Sequence, residues 1–297
     1  MSDEFDRWRR EGRAFRYREH TIFYRVEGEG PVLLTLHGFP SASWDWHPMW
    51  PELTSRFRVI AADMLGFGWS DKPRVPYSIL DQATLQEDLL RELGVERVHV
   101  LAHDYGDTVA QELLARHQDR ERLEGKGVVI QSVCLLNGGL FPETHRPRRM
   151  QLLLASPLGP LLERLTTKRA FATGLTSVFG RDTPPSAAFI DELWTLLRHK
   201  DGQRVLHLLI GYLAERRRHR ERWVGALARS SVPLRFIDGT EDPVSGAHMV
   251  ARYSELIPNA DTVELAGIGH YPQVEDPAGV LRAFFAFHER LWTFRSP

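Results

Sequence analysis

The stretch VHVLAHDYGDTVAQELL, residues 98–114, decides the fold of this chain. Val98 to Leu101 form an apolar, β-branched run that predicts a strand, and apolar residues recur at helical spacing from about Gly106 onward. Only a short segment separates the two elements, so the chain must turn sharply at Asp104. A turn this tight strains its central residue and brings two backbones close together. The sequence therefore predicts a strand, a sharp turn and a helix, with an aspartate at the turn.

The residues two positions on either side of Asp104 are small. Ala102 and Gly106 meet the steric requirement of such a turn, which is typical of a nucleophile elbow; its usual pattern, GxSxG, here has Ala for the first Gly and Asp for Ser. Unpaired N–H groups at the start of a helix favour an ionised carboxylate, which needs no base to activate it. Asp104 is therefore a candidate nucleophile. The alternative is a helix N-cap, a common role of aspartate before a helix.

Two downstream segments supply candidate partners for Asp104. VPLRFIDGTEDPVS, residues 232–245, predicts a strand followed by an acidic loop that contains Asp242. VELAGIGHYPQVEDP, residues 263–277, predicts another strand, followed by a glycine-flanked loop that presents His270. The order nucleophile, acid, histidine is the order of an α/β-hydrolase triad.

Each of these two assignments has an alternative. Glu241 competes with Asp242 as the acid, but Asp242 precedes Pro243, which holds it in extended backbone at the loop. His270 taken alone is equally compatible with a histidine on a surface loop. Its position after the last predicted strand favours the catalytic interpretation.

The segment PVLLTLHGFP, residues 31–40, predicts a buried strand that runs into a turn. A glycine beside an apolar residue at this place allows a backbone N–H to point into a pocket. We therefore expect an oxyanion hole formed by the N–H groups of Phe39 and Tyr105. An ordinary exit from a strand into a turn is the alternative for HGFP.

Strands and helical patterns alternate along the chain after an opening hairpin at residues 15–30. This alternation predicts a mostly parallel sheet with helices on both faces, with six strands besides the hairpin. About ninety residues without a clear strand separate Asn137 from Val232, which is too long for a plain crossover and predicts an inserted helical cap. We expect a core of residues 1–140 and 230–297 and a cap of residues 141–229. Pro184 and Pro185 suit the start of a cap helix.

Composition narrows the class of protein further. With 42% hydrophobic residues in 297, the chain suits one large core with a lid. A net charge of −1 gives no reason to expect binding of nucleic acid. The basic run Arg216–Arg222 is interrupted by Glu221, so we expect a solvated helix face, with docking of an acidic partner or lipid headgroups as the alternative.

Targeting and cofactor signals are not seen in the sequence. The first thirteen residues, MSDEFDRWRREGR, have no apolar core of a signal peptide, and no run is long enough to span a membrane. A single cysteine, Cys134, is compatible with a reducing compartment, and we expect a cytoplasmic protein. HExxH and paired CxxC patterns are missing, so we expect neither metal nor organic cofactor. The sequence gives no indication of oligomeric state.

Several of these strings together resemble the epoxide hydrolase and haloalkane dehalogenase branch of the α/β-hydrolase superfamily. They are HGFP, DMLGFGWSDKP, HDYGDTVAQELL and the GxGHxPQxEDP-like segment around His270. LLNGGLFPETHRP, LTSVFG and RRRHRERWVGAL resemble the mesoderm-specific transcript proteins, an epoxide-hydrolase-like family. The resemblance implies an α/β-hydrolase fold with an eight-stranded sheet and a cap, and a small hydrophobic electrophilic substrate.

The resemblance also implies a reaction in which Asp104 forms an alkyl ester with the substrate and His270, oriented by Asp242, activates the water that hydrolyses it. Epoxide hydrolases commonly use two cap tyrosines as the acid. The predicted cap contains only Tyr212, whose alternative role is a half-buried helix aromatic, and ERWVGAL offers Trp223 where the second is expected. Trp194 is a further candidate for contact with substrate, with aromatic packing as its alternative.

Two other functions stay open. A haloalkane dehalogenase would use the same triad but typically has tryptophan after the nucleophile, where this chain has Tyr105, and often asparagine at the position of Phe39. The incomplete tyrosine pair is also compatible with a non-catalytic ligand-binding or interaction protein built on a hydrolase shell. The presence of Asp104, Asp242 and His270 argues against that interpretation.

Overall fold

The computed structural model describes residues 2–161 and 166–293. Within them the chain forms eight strands: β1 Arg13–Tyr17, β2 His20–Glu27, β3 Val32–Leu36, β4 Arg58–Ala62, β5 Arg97–His103, β6 Val129–Leu136, β7 Leu234–Gly239 and β8 Thr262–Leu265. The α-helices are α1 Asp3–Arg10, α2 Trp50–Thr54, α3 Ile79–Glu92, α4 Tyr105–Arg122, α5 Arg149–Leu154, α6 Lys168–Thr176, α7 Ala187–Arg198, α8 Leu206–Leu209, α9 Tyr212–Arg218, α10 Arg220–Ala228, α11 Ala247–Leu256, α12 Pro272–Glu275 and α13 Pro277–Thr293. Two 3-10 helices span Ser43–Met49 and His199–Val205.

The strands form one sheet in the order β1-β2-β4-β3-β5-β6-β7-β8. β2 pairs antiparallel with both β1 and β4, while every other neighbouring pair is parallel. The predicted hairpin and mostly parallel sheet are thus confirmed. Because β3, β5, β6, β7 and β8 run in the same direction, the loops that follow them lie at one edge of the sheet, where ligand sites of such sheets form.

Both faces of the sheet are covered, which explains the continuous apolar runs in its central strands. Successive residues of one strand enter different cores: Leu33 packs on one face and Leu34 on the other, and Val100 and Leu101 divide in the same way. Cys134 is fully buried in the same core as Leu33 and Leu101.

Residues between β6 and β7 contain helices α5 to α10 and, where the structure describes them, no strand. In α7 the apolar residues Phe189, Leu193, Leu196 and Leu197 are buried. The helix begins at Ala187 and is capped by the Ser186 hydroxyl, which accepts from the Phe189 N–H. The expectation that Pro184 and Pro185 open this helix is therefore wrong, because a side-chain cap sets its start after them.

The division into a core of residues 1–140 and 230–297 and a cap of residues 141–229 stays a proposal. Residues 1, 162–165 and 294–297 of these ranges lie outside the described part of the chain. No helix in the described part is long and apolar enough to cross a bilayer.

Candidate active site

Asp104 lies at the sharp turn between β5 and α4, with φ +47° and ψ −103°. A positive φ is strained for a residue with a Cβ, and strain of this kind is concentrated at functional sites. Gly106 permits the turn, since a Cβ there would lie 2.3 Å from the Leu36 carbonyl oxygen. Although Asp104 occupies the N-cap position of α4, its side chain makes no capping hydrogen bond. The helix-cap alternative therefore does not describe its carboxylate.

The two carboxylate oxygens of Asp104 face different groups. Oδ2 accepts a 3.1 Å hydrogen bond from the Phe39 N–H and lies 3.9 Å from Nε2 of His270. Oδ1 lies 3.4 Å from Nη2 of Arg216. Tyr105 is the first residue of α4, so its N–H has no acceptor within its own helix. Asp104 is only 2% exposed, so these contacts act with little screening by water.

His270 follows β8 and is oriented by Asp242, which follows β7. Its Nδ1 lies 2.7 Å from Oδ2 of Asp242. That carboxylate also accepts from Asn137 Nδ2 at 3.1 Å, from the Ser245 hydroxyl at 2.8 Å and from the Val244 N–H at 2.7 Å. Such a set of donors fixes the carboxylate and leaves Nε2 of the imidazole directed toward Asp104.

Glu241, the competing acid, is exposed and accepts from the backbone N–H of Arg181. The fold brings together Asp104, Asp242 and His270 but directs Glu241 elsewhere.

Asp104, Asp242 and His270 stabilise one another in their charged forms. Burial by itself would raise the pKa of Asp104, but the neighbouring His270 and then Arg216 lower it well below its usual range. Burial likewise opposes ionisation of Asp242, and His270 lowers the pKa of that carboxyl. Burial disfavours a charged imidazole, yet Asp242 and Asp104 raise the pKa of His270 well above its usual value. Each of these shifts favours the charged form of its group: the carboxylates of Asp104 and Asp242 and the imidazolium of His270.

Tyr212 of α9 lies over this site. Its ring packs at 5.8 Å from the Phe39 ring and 5.1 Å from the Tyr105 ring, and its hydroxyl lies 3.4 Å from Nε2 of Gln151. Burial, and next the charge of Asp104, raise the pKa of Tyr212. The side chain is 1% exposed, so the alternative role of a half-buried helix aromatic does not describe it.

Trp194 lies on α7, half-buried, where it packs at 5.6 Å from Phe171 and near Arg198. No contact between Trp194 and Asp104, His270 or Tyr212 is found within the described residues. These surroundings agree with the alternative that Trp194 packs against another aromatic side chain.

Three residues near Asp104 were not singled out from the sequence. Arg216 is 2% exposed, so its assignment to a solvated helix face is wrong; Arg217 and Arg218 beside it are exposed as expected. Its guanidinium reaches the turn at Asp104 because Arg216 and Tyr212 of α9 contact Thr108 and Tyr105 at the start of α4. The side chain of His145 lies close to Arg216 and Asp104, whose charges shift its pKa after the larger effect of burial. Asn137, at the end of β6, holds Asp242. The one feature of the sequence that pointed to Arg216, His145 and Asn137 is that each lies in a segment that resembles the mesoderm-specific transcript proteins.

Across residues 2–161 and 166–293, no group of three or more His, Cys, Asp or Glu side chains has an arrangement able to hold a metal ion.

The sheet, the elbow and the order of site residues define the class of protein, and a family model described as the alpha/beta hydrolase family matches residues 32–283. The mesoderm-specific transcript protein of Mus musculus is 44% identical over 300 residues, which cover 97% of this chain and 88% of that protein. A protein named putative hydrolase LipZ from Mycobacterium tuberculosis is 42% identical over 278 residues, 93% of this chain and 95% of its own. The chain thus belongs to the α/β-hydrolase family and, within it, to the family of the mesoderm-specific transcript proteins.

Solved structures agree on the fold. A loop variant of the haloalkane dehalogenase DbeA from Bradyrhizobium elkanii superposes with a TM-score of 0.79 at 20% identity, covering 96% of this chain and 99% of that one. The epoxide hydrolase CorEH superposes with a TM-score of 0.74 at 20% identity, covering 94% and 99%. The predicted α/β-hydrolase fold is confirmed.

Proposed function

We propose that this chain is a cofactor-independent hydrolase in which Asp104 attacks a carbon atom of a small epoxide and forms a covalent alkyl ester. The proposal is supported above all by one observation: the strained, buried carboxylate of Asp104 faces Nε2 of His270 on one side and accepts from the Phe39 N–H. A buried carboxylate that does not cap its helix is suited to attack, because it is already charged and partly stripped of water.

In the first step a carboxylate oxygen of Asp104 forms a bond to an epoxide carbon. The C–O bond of the ring breaks, and its electron pair stays on the epoxide oxygen. The Tyr212 hydroxyl is the proposed proton donor to that oxygen. Its raised pKa keeps it protonated at neutral pH, as a donor must be.

In the second step His270 acts as a base toward water. Alkylation turns Asp104 into a neutral ester and so removes one of the two negative charges that raise the pKa of His270. The imidazole then gives its proton to the Tyr212 phenolate left by the first step, and the neutral ring deprotonates a water that attacks the ester carbonyl carbon. The oxyanion forms on an Asp104 oxygen, where the N–H groups of Phe39 and Tyr105 are the proposed donors. Its collapse breaks the bond between the ester carbonyl carbon and the oxygen that carries the alkyl group. That oxygen takes a proton from the His270 imidazolium and leaves as the second hydroxyl of a diol, and the carboxyl group of Asp104 then gives its proton back to His270.

The test replaces His270 with Gln and exposes the variant to aryl and alkyl epoxides and to haloalkanes. The first step should proceed and the second should stall. Intact-mass measurement should then show a stable adduct, which peptide mapping places on Asp104. The matched control is Asp104→Asn in the same background, which should form no adduct.

The other outcomes decide between functions. If no electrophile forms an adduct and the unmodified protein turns none over, the enzyme proposal is wrong and a non-catalytic binding role is favoured. If halide is released without any epoxide opening, the haloalkane dehalogenase alternative is favoured instead.

A further inference from the structure

Arg216 is held beside the nucleophile by a fixed set of bonds. Its Nε donates to the Thr108 hydroxyl at 2.7 Å, and its Nη2 donates to the Asp104 carbonyl oxygen at 3.0 Å. The guanidinium lies over the Tyr212 ring, 4.5 Å from its centroid. Its Nη1 has no acceptor anywhere in the described part of the chain, although the side chain is 2% exposed. A buried guanidinium donor without an acceptor is costly unless a ligand supplies one.

A second unpaired group faces the same place. Both ring nitrogens of His145 are buried and lack a hydrogen-bond partner among residues 2–161 and 166–293. A Cβ added to Gly139 would lie 2.3 Å from Nη1 of Arg216 and 2.7 Å from Nδ1 of His145, so both nitrogens border this one glycine. Burial, and next the charge of Arg216, lower the pKa of His145 to about 3, so the neutral ring offers one N–H. Two donors therefore converge beside Asp104.

The reaction changes the charge balance at this place. Before attack, the guanidinium of Arg216 is paired with the Asp104 carboxylate at 3.4 Å. Alkylation converts that carboxylate into a neutral ester, and once the Tyr212 phenolate has taken back a proton from His270, no anion of the reaction stays to pair with Arg216. A buried unpaired guanidinium is strongly unfavourable. A permanent anion carried by the substrate would keep Arg216 paired throughout the life of the ester.

We propose that Nη1 of Arg216 and the ring of His145 bind an anionic group of the substrate, and that the preferred substrates are epoxides that carry a carboxylate next to the reactive ring. A planar carboxylate suits a guanidinium donor. This inference rests on the proposed function and specifies its substrate class.

The first test uses the unmodified protein and two probes of nearly equal shape, glycidate and glycidamide, which differ in the charge of one group. We expect kcat/KM for glycidate to exceed that for glycidamide by roughly 10- to 100-fold, the value of a charge-assisted hydrogen bond. Calorimetric titration with propionate and propionamide measures the same preference without any turnover. Equal kcat/KM for the two epoxides, or no preference for propionate, overturns the inference.

Substitutions of Arg216 and His145 test whether these residues cause the preference for glycidate. Arg216→Gln should reduce the ratio of glycidate to glycidamide turnover by roughly 10- to 100-fold, and Arg216→Lys should restore part of it because the charge remains. Arg217→Gln, an exposed neighbour on the same helix, should leave the ratio unchanged. His145→Phe provides a second test if the Arg216 variants do not fold, and it should lower the ratio as well. If Arg216→Gln or His145→Phe slows both epoxides by the same factor, the residue does not recognise substrate charge and the inference fails.

Failure of the inference is distinguishable from failure of the proposed function. Turnover of glycidamide and neutral alkyl epoxides, with an adduct on Asp104 but no preference for the carboxylate, leaves the hydrolase proposal intact and removes only the anion subsite. Preferential binding of propionate by a protein that opens no epoxide supports the subsite and rejects the reaction.

Discussion

At the scale of single residues, the conformation of Asp104 is unfavourable for any residue except glycine. Its φ of +47° brings the Cβ close to the backbone, and such strain costs on the order of 1–3 kcal/mol. The surrounding elements maintain it, because β5 and α4 are fixed by the sheet and by close packing. The result is a carboxylate held apart from its own helix and free to accept from the Phe39 N–H.

A pair of substitutions measures this strain. Asp104→Ala and Asp104→Gly both remove the carboxylate, so the difference between them reports on the backbone. We expect the Gly variant to be more stable by about 1 kcal/mol, because relief of strain outweighs the greater entropy of glycine in the unfolded chain. Urea unfolding measures the difference. Ala286→Gly, at an exposed position within α13, should instead lower stability by about 0.5–1 kcal/mol. The strain argument is wrong if glycine is the less stable choice at both positions.

At the scale of elements, the elbow depends on how closely α4 approaches β3. The Cα of Gly106 lies against the Leu36 carbonyl group, at the end of the strand that leads to Phe39. This contact sets the distance between the Asp104 carboxylate and the Phe39 N–H. One methyl group at position 106 would therefore disturb both the packing and the candidate oxyanion hole.

Two glycine substitutions separate close packing from helix propensity. Gly106→Ala should destabilise the protein by about 1–3 kcal/mol, because its Cβ meets a backbone oxygen at 2.3 Å. Gly174→Ala, within α6 and with open space around its Cβ, should stabilise it by about 0.5–1 kcal/mol. Chemical denaturation checks both signs. A neutral result for Gly106→Ala would show that α4 can move away from β3 without cost.

At the scale of the whole molecule, polar contacts join the helices between β6 and β7 to loops and helices outside that segment. Arg216 donates to the Asp104 carbonyl oxygen, Glu215 accepts from the Ser78 hydroxyl and the Ile79 N–H, and Glu192 accepts from Trp44 Nε1. Lys72 belongs to the same boundary, since its side chain lies against Gly202 in the 3-10 helix that follows α7. Burial lowers the pKa of Lys72 to about 7.

This shift predicts a pH dependence of stability. The folded chain releases the Lys72 proton near pH 7, whereas the unfolded chain keeps it up to about pH 10.5. The stabilisation that comes from deprotonation of Lys72 is therefore complete above pH 10.5. It decreases as the pH falls and is lost below about pH 7. Lys72→Met should be most favourable relative to the unmodified protein at pH 6, and its advantage should shrink at up to about 1.4 kcal/mol per pH unit between pH 7 and 9. Urea unfolding at several pH values measures this; a constant difference would rule out the shift.

The chain pattern alone predicted the sheet, the elbow and the three residues Asp104, Asp242 and His270, for a simple reason. Strand and helix periodicity depends on nearby residues, and parallel strands bring the loops at their carboxyl ends to one edge. Residues from distant parts of the sequence could thus be assigned to one place without knowledge of side-chain packing.

Only the tertiary structure decided what faces the second oxygen of Asp104. Local pattern assigns Arg216 to a solvated, basic helix face, because the charges beside it do face water. Its burial depends on the contact of α9 with the start of α4, more than a hundred residues away in sequence. The position of His145 beside it and the packing of Tyr212 on Phe39 depend on the same long-range contacts. The sequence by itself determined the fold and the position of Asp104 at the turn, and the packing of the helices between β6 and β7 determined the charges and donors that surround its carboxylate.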